Sequence, residues 1–311
     1  MNKPVLAGIL FVTTCFAIAV AQAPNKFPFK ASDMHFNAPP VEREIDVKCL
    51  AEGRVTPDTP EARKAQNRAK NNFGVSGEPI QLSITAFDKL ERATEAARRC
   101  SANHGSNCKK VDIDSASRLP SDRQQLLNMT TLPDGQQLGE GTLVSLEAKV
   151  LSSHYSNTKF NIYNNNNGHT VRGSGESVNC AKQPGFNATK IDSNDIHVVL
   201  VAPGVTNECL SVTAEVSPHF RPDNWRRFHN MGLNQLGENI NVEAKGVNFN
   251  KVQRVRMTGP LFYDASHEPC SPHKRTSPAR RSLWEIHPVY KIEVKVNGTW
   301  KSFDDWVNEG N

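Results

Sequence analysis

From Gly141 onward the apolar residues of this chain recur at every second position, and that period restricts the fold more than any other feature. Strand side chains alternate between two faces, so a period of two marks a β-strand with one buried face. Val144, Leu146, Ala148 and Val150 alternate with Ser145, Glu147 and Lys149. Ile196, Val198 and Leu200 form a second such run, and Leu210, Val212, Ala214 and Val216 a third. Val252, Val255 and Met257, followed by Leu261 to Tyr263, predict a fourth strand bent at Gly259-Pro260. The fifth is the clearest. In SLWEIHPVYKIEV (282–294), Trp284, Ile286, Pro288, Tyr290, Ile292 and Val294 share one face, while Glu285, His287, Lys291 and Glu293 share the other.

A short helix beginning at Asp223 or Asn224 (WRRFHNMG) separates the third and fourth strands. Three strands, a helix and two strands is the order of the OB-fold, a small Greek-key barrel. Other small barrels and a split sandwich fit the same pattern. The fold class is therefore α+β, with an OB-like β-barrel over 141–311 behind a small helical region. Segments 152–194 and 265–281 become the two loops that flank the ligand face of such barrels.

The rest of the chain is organised differently. Lys3, the apolar run Val5 to Val20 and Ala19-Val20-Ala21 have the pattern of a secretory signal peptide over 1–21. Residues 22–40, rich in Pro and small residues, read as a flexible arm. Residues 41–140 read as mostly helical. Pro60 and Glu61 open a helix with few apolar positions, expected to be largely solvated. Thr85 and Asp88 resemble a capping box ahead of an apolar stripe, Phe87, Leu90, Ala93 and Ala97, that ends at Cys100. These helices offer too little apolar surface for a separate core and are expected to pack on the barrel.

A secreted or periplasmic location follows from the leader, and no later stretch of the mature chain is long and apolar enough for a transmembrane helix. Losing Lys3 with the leader lowers the formal charge from +5 to about +4. That permits an anionic partner, nucleic acid included, without requiring one. Cys15 also leaves, and the six remaining cysteines read as disulfides. Cys100–Cys108 is the expected local staple, with further pairing among Cys180, Cys209 and Cys270. The absence of C-x-x-C argues against a zinc knuckle or a thioredoxin-type site.

Several strings, among them GEGTLVSLEAKVLSSHYSN, NDIHVVL, ECLSVTAEVSPHFRPDNW, TGPLFYDASHEPC and RRSLWEIHPVYKIEV, resemble an uncharacterised family of exported bacterial proteins. The resemblance covers most of the mature chain and implies an OB-like fold. It implies no activity and carries over no site residues. The Asn-rich insert at 161–168 departs from it.

Two constellations carry chemistry. Asp195-x-His197, Glu215-x3-His219 and Glu285-x-His287 place acids and imidazoles on or beside strands, and at i,i+2 both side chains emerge on one face. Asp195, His197, Glu215, Glu285 and His287 are thus candidate ligands of a divalent metal, Zn²⁺ or Mn²⁺. The alternative for each pair is a carboxylate that merely orients its own histidine. The second constellation is basic: His273, Lys274, Arg275, Arg280 and Arg281 on one loop, with Phe262 or Tyr263 as stacking partners and His219 with Arg221 as a possible anion clamp. Its alternatives are a solvated loop and, at His219–Trp225, a structural corner. No nucleophile elbow, phosphate-binding loop or dinucleotide fingerprint occurs. The expected function is an exported binding or interaction module whose ligand could be anionic. The competing reading is a metal-dependent phosphoesterase or nuclease.

Overall fold

The computed structural model describes residues 27–36, 38–102, 109–155, 161–165, 168–172, 176–180, 193–228, 252, 254–276 and 278–310. The proposed signal peptide, Cys108 and the second half (229–232) of the expected WRRFHNMG helix lie outside them; the start of that helix is a 3-10 turn, Asp223–Arg227. Among the described residues no helix is long and apolar enough to cross a membrane.

The N-terminal part contributes α1 (Glu44–Lys48), α2 (Glu61–Lys70), β1 (Ile80–Leu82), α3 (Ile84–Ala102) and a small hairpin, β2 (Thr130–Thr131) with β3 (Gln137–Leu138). Next come β4 (Leu143–Tyr155), a hairpin of β5 (Asn161–Asn165) and β6 (Gly168–Arg172), β7 (Ile196–Val201) and β8 (Val212–Val216). The chain finishes with β9 (Arg254–Tyr263), β10 (Trp284–Ile286), β11 (Lys291–Val296), β12 (Thr299–Ser302) and α4 (Phe303–Asn308).

Five strands close a barrel in the order β4-β7-β8-β10-β9, with β9 returning to β4. Long β4 makes closure possible. Its first half pairs with β9 (Leu146↔Met257) and its second half with β7 (Val150↔Leu200), across a register shift between Val150 and Ser152. A bulge bends a strand and increases its twist. The β8–β10 pairing is parallel, with Ile286 opposite Ala214, and the pairings of β4 with β7 and β9, β7 with β8 and β9 with β10 are antiparallel. The inward set is the one the alternation names: Leu146, Ile196, Val198, Leu200, Val212, Ala214, Val216, Met257, Trp284 and Ile286 belong to one buried cluster.

The fifth strand is not continuous. It breaks at His287-Pro288, a cis peptide, and both pieces run along β9. Gly259 makes room for the break, because a Cβ there would lie 2.4 Å from the Pro288 carbonyl oxygen. His287 N–H donates to Pro260 O at 3.0 Å, and Tyr290 N–H to Thr258 O at 2.7 Å.

The helical region shares the barrel's core. Phe87 and Leu90 of α3 are buried with Trp284 in the same cluster, and β1 pairs in parallel with β4, Leu82 opposite Leu146. Glu91 accepts from Leu283 N at 2.7 Å and from Ser282 Oγ at 2.9 Å, and Trp284 Nε1 donates to Thr94 Oγ1 at 2.9 Å. Asp88 does not complete a capping box; it takes both Arg281 nitrogens, Nε at 2.7 Å and Nη2 at 2.6 Å. Within the expected flexible arm, Phe27 and Met34 are buried against Phe73 and Phe220. The C-terminal α4 folds back on the barrel, burying Phe303 and Trp306 in the main core.

Two expectations about exposure fail. Helix α2 is not largely solvated, since Gln66, Asn67 and Lys70 are buried. Nor is the acid–His face open, since every residue of β7, β8 and β10 is buried on both sides. An amphipathic strand signals one apolar face. It does not require the polar face to meet water, and here α2 and the turn at 176–180 cover it.

Candidate metal centre

The register of the barrel assembles the site. His197 stands opposite Glu215 across β7 and β8, and His154 of β4 stands opposite His197. Ile286 is level with Ala214, which brings Glu285 and His287 alongside Glu215 on the outer face. Glu215 is therefore central. Its Oε1 lies 2.9 Å from His197 Nε2 and its Oε2 lies 2.9 Å from His287 Nε2. Neither imidazole nitrogen has hydrogen-bond alignment with its oxygen. Lys70 reaches in from α2 and donates to Glu215 Oε2 at 3.3 Å and to Glu176 Oε2 at 3.1 Å. Asp195 joins from the N-terminal end of β7, and one ligating atom each of Asp195, Glu215 and His287 lie within 4.8 Å of one another. The same is true of Glu215, Asp264 and Glu285.

The carboxylates share one arrangement. Asn179 Nδ2 donates to Asp195 Oδ2 at 3.2 Å, and Asp195 Oδ1 accepts nothing. Gln66 Nε2 at 3.4 Å and Ser266 N at 3.0 Å hold Asp264 Oδ1, while Oδ2 accepts no hydrogen bond, though His267 Nε2 is 3.3 Å away. Arg280 Nη1 donates to Glu285 Oε2 at 2.9 Å, leaving Oε1 without a donor. Lys70 holds Glu215 Oε2, leaving Oε1. Each acid is held by a hydrogen bond at one oxygen while its other oxygen accepts none. Oriented carboxylates with a spare oxygen are what supporting hydrogen bonds produce around a metal. Arg123 extends the support by donating to Gln66 Oε1 at 3.2 Å.

Charge balance leads the same way. Asp195, Glu215, Asp264 and Glu285 are buried, with Glu176 at their edge, and Lys70 and Arg280 are the buried cations bonded to them. Buried charge without a partner is costly, so the excess must be relieved by protons or by a cation. Without a cation, protons do it. Burial first, and then the neighbouring Glu176 and Glu215, raise Asp195 well above the ordinary carboxylate range. Burial, Glu215 and Asp264 raise Glu285 in the same way. Burial also pushes Glu215 upward, but His197, Lys70 and His287 outweigh it and hold Glu215 well below its usual value. Asp264 is lowered to about 2, the pull of Lys70, His267 and Arg280 exceeding its burial. His287 is lowered by burial, against the pull of Glu215, and so favours the neutral, ligating form.

A cleft of about 200 Å³ opens at the edge of this cluster, lined by Gln66, Lys70, Glu176, Asp264 and His267 among others. Lys70 and Asp264 link its wall to the buried acids. Cys49–Cys180 fastens the turn that carries Glu176 and Asn179, and Cys209–Cys270 fastens the loop before β8 to the loop before β10. Pairing among Cys180, Cys209 and Cys270 thus holds for the last two, while Cys180 takes Cys49 instead. Cys100 is disulfide-bonded; its expected partner Cys108 lies outside the described residues.

Of the five candidate ligands, Asp195, Glu215 and His287 converge in one group and Glu215 and Glu285 fall in another with Asp264, while His197 is in neither group and meets the cluster through Glu215. The basic constellation does not converge. Lys274 pairs with Glu268 at 2.5 Å, Arg275 with Glu208 at 2.6 Å, Arg281 with Asp88 and buried Arg280 with Glu285. Each cation has its own carboxylate, so the loop presents no concentrated positive surface. Phe262 and Tyr263 are buried and cannot stack on a ligand's bases. His219 Nδ1 is 2.8 Å from Asp46 Oδ1, and Arg221 Nη1 donates to Asn194 O at 3.2 Å. Both are buried and bonded within the protein.

Sequence reasoning missed Lys70, Glu176, Asn179 and Asp264. The helical spacing of Gln66, Asn67 and Lys70 on a helix with so little apolar surface was the available signal for the first. No protein-family model, curated protein or solved structure matches the chain.

Proposed function

We propose that the chain is an exported, divalent-cation-binding module, built on an OB-like barrel and taking Zn²⁺ or Mn²⁺ at Asp195, His197, Glu215 and His287. The carrying observation is that Glu215 stands between two imidazole nitrogens at 2.9 Å with neither aligned for a hydrogen bond. Of these residues, Glu215 and His287 converge with Asp195 within 4.8 Å, close enough to share an ion, and His197 stands on the other oxygen of Glu215. A mixed imidazole–carboxylate set suits Zn²⁺ or Mn²⁺.

The leader-like N-terminus and the disulfides support export to the periplasm or beyond. The OB-like reading draws support from the closed strand order and from the parallel β8–β10 pairing. The test is elemental analysis of the mature chain after metal stripping and reloading. The expected result is at least one bound ion per chain, with affinity for the first ion reduced by at least 10–100-fold in His287→Ala. A chain that takes up neither ion at micromolar concentration would end this reading.

A metal-dependent phosphoesterase is the second reading, favoured by Lys70, whose ammonium lies beside the candidate ligands and lines the cleft. A bound metal would supply Lewis acidity, and Lys70 would hold the substrate's negative oxygen. Metal-dependent hydrolysis of an activated phosphodiester, lost in Lys70→Met, would favour it over the binding module.

A further inference from the structure

We propose that the centre takes two cations, with Glu215 as the bridging carboxylate. The inference rests on the metal-binding reading above and deepens it. Glu215 is common to two groups: one with Asp195 and His287, the other with Asp264 and Glu285. In both groups the ligating atoms lie within 4.8 Å of one another, and every member is buried. The second group has its own evidence beyond being acidic. Glu285 Oε1 and Asp264 Oδ2 are buried oxygens that accept no hydrogen bond, Oδ2 having His267 Nε2 at 3.3 Å, and each acid's other oxygen is held, by Arg280 in one case and by Gln66 and Ser266 N in the other.

The two positions differ in donor chemistry. The first offers nitrogen as well as oxygen. The second offers three carboxylates, a set that suits a harder ion such as Mn²⁺ or Mg²⁺. Glu215 is a member of both groups and has two carboxylate oxygens, so it can serve both positions at once. Asp264 and His267 also line the cleft, so the second position is the one nearer the cleft.

The test is titration of the metal-free mature chain with Mn²⁺, counting bound ions by elemental analysis and recording the electron paramagnetic resonance spectrum. Two ions per chain with the spectrum of an exchange-coupled pair are expected. Glu285→Gln should keep one ion and lose the coupling, and Asp195→Asn should also keep one. If Glu285→Gln loses its native tryptophan fluorescence, Asp264→Asn replaces it with the same expectation. One uncoupled ion in the wild type, unchanged by Glu285→Gln or Asp264→Asn, overturns the second position and leaves the single-ion reading intact. No bound ion overturns both.

Discussion

His197 and Glu215 face each other directly across β7 and β8, with Nε2 2.9 Å from Oε1, and Glu215 turns its other oxygen to His287 at the same distance. Lys70 depends on that carboxylate as well. Glu215→Gln should therefore destabilise the metal-free protein by roughly 3–5 kcal/mol, the usual loss when one partner of a buried ion pair is removed. Urea unfolding in the presence of chelator measures it. A loss below about 1 kcal/mol would mean that Lys70 is satisfied by Glu176 alone.

Asp195 and Glu215 should oppose each other in pH dependence. Asp195 is raised in the folded state, so its contribution is complete below the unfolded pKa and is lost as pH rises through the folded value. Glu215 is lowered, so its contribution is present above the unfolded pKa and is lost as pH falls through the folded value. Metal-free Asp195→Asn should therefore gain on wild type as pH increases, by about 1 kcal/mol or ~2–4 °C in Tm at pH 8, with little difference at pH 4. Metal binding should release protons from Asp195 and Glu285, so affinity should rise with pH. Calorimetry in buffers of different ionisation enthalpy reads that release.

The Cys49–Cys180 bridge joins residues 131 apart and holds the turn bearing Glu176 and Asn179. Replacing Cys49 and Cys180 together by Ser should cost about 2–5 kcal/mol and weaken metal binding, because Asp195 loses the donor that orients it. Non-reducing peptide mapping should recover Cys49–Cys180 and Cys209–Cys270. Recovery of Cys180 joined to Cys209 or Cys270 would contradict this arrangement.

Ile286 is fully buried, and its Cγ2 would lie 2.8 Å from a Cβ at position 259. Ile286→Ala should cost about 2–5 kcal/mol. Gly259→Ala should cost about 1–3 kcal/mol by forcing β9 away from the Pro288 carbonyl. Thermal or urea unfolding of both variants checks the break between β10 and β11 from its two sides.

Lys274 and Arg275 are exposed and paired with Glu268 and Glu208. Replacing both by Ala should change stability by less than about 0.5 kcal/mol and leave metal uptake unchanged. Salt-dependent binding of the wild type to single-stranded DNA, lost in this double variant, would restore the basic loop as an anion site.

The alternation of apolar residues by itself determined the inward faces. Val144 to Val150, Ile196 to Leu200, Val212 to Val216 and the Trp284–Ile286 pair all point where period two puts them, because burying that face dominates strand placement. The acid–His spacing also determined that His197, Glu215, Glu285 and His287 lie on the opposite side. Tertiary structure decided the rest. Pairing β8 with β10 in parallel set Glu285 and His287 beside Glu215, and no local pattern specifies which strands become neighbours. Lys70 and Asp264 entered the centre only because α2 lies across the barrel and because Asp264 directly follows β9. Arg280 and Arg281 read as free positive charge in a basic loop, yet one is buried on Glu285 and the other clasped by Asp88, residues 5 and 193 positions away. The sign of a side chain is written in the sequence, while the partner that neutralises it is supplied by long-range packing.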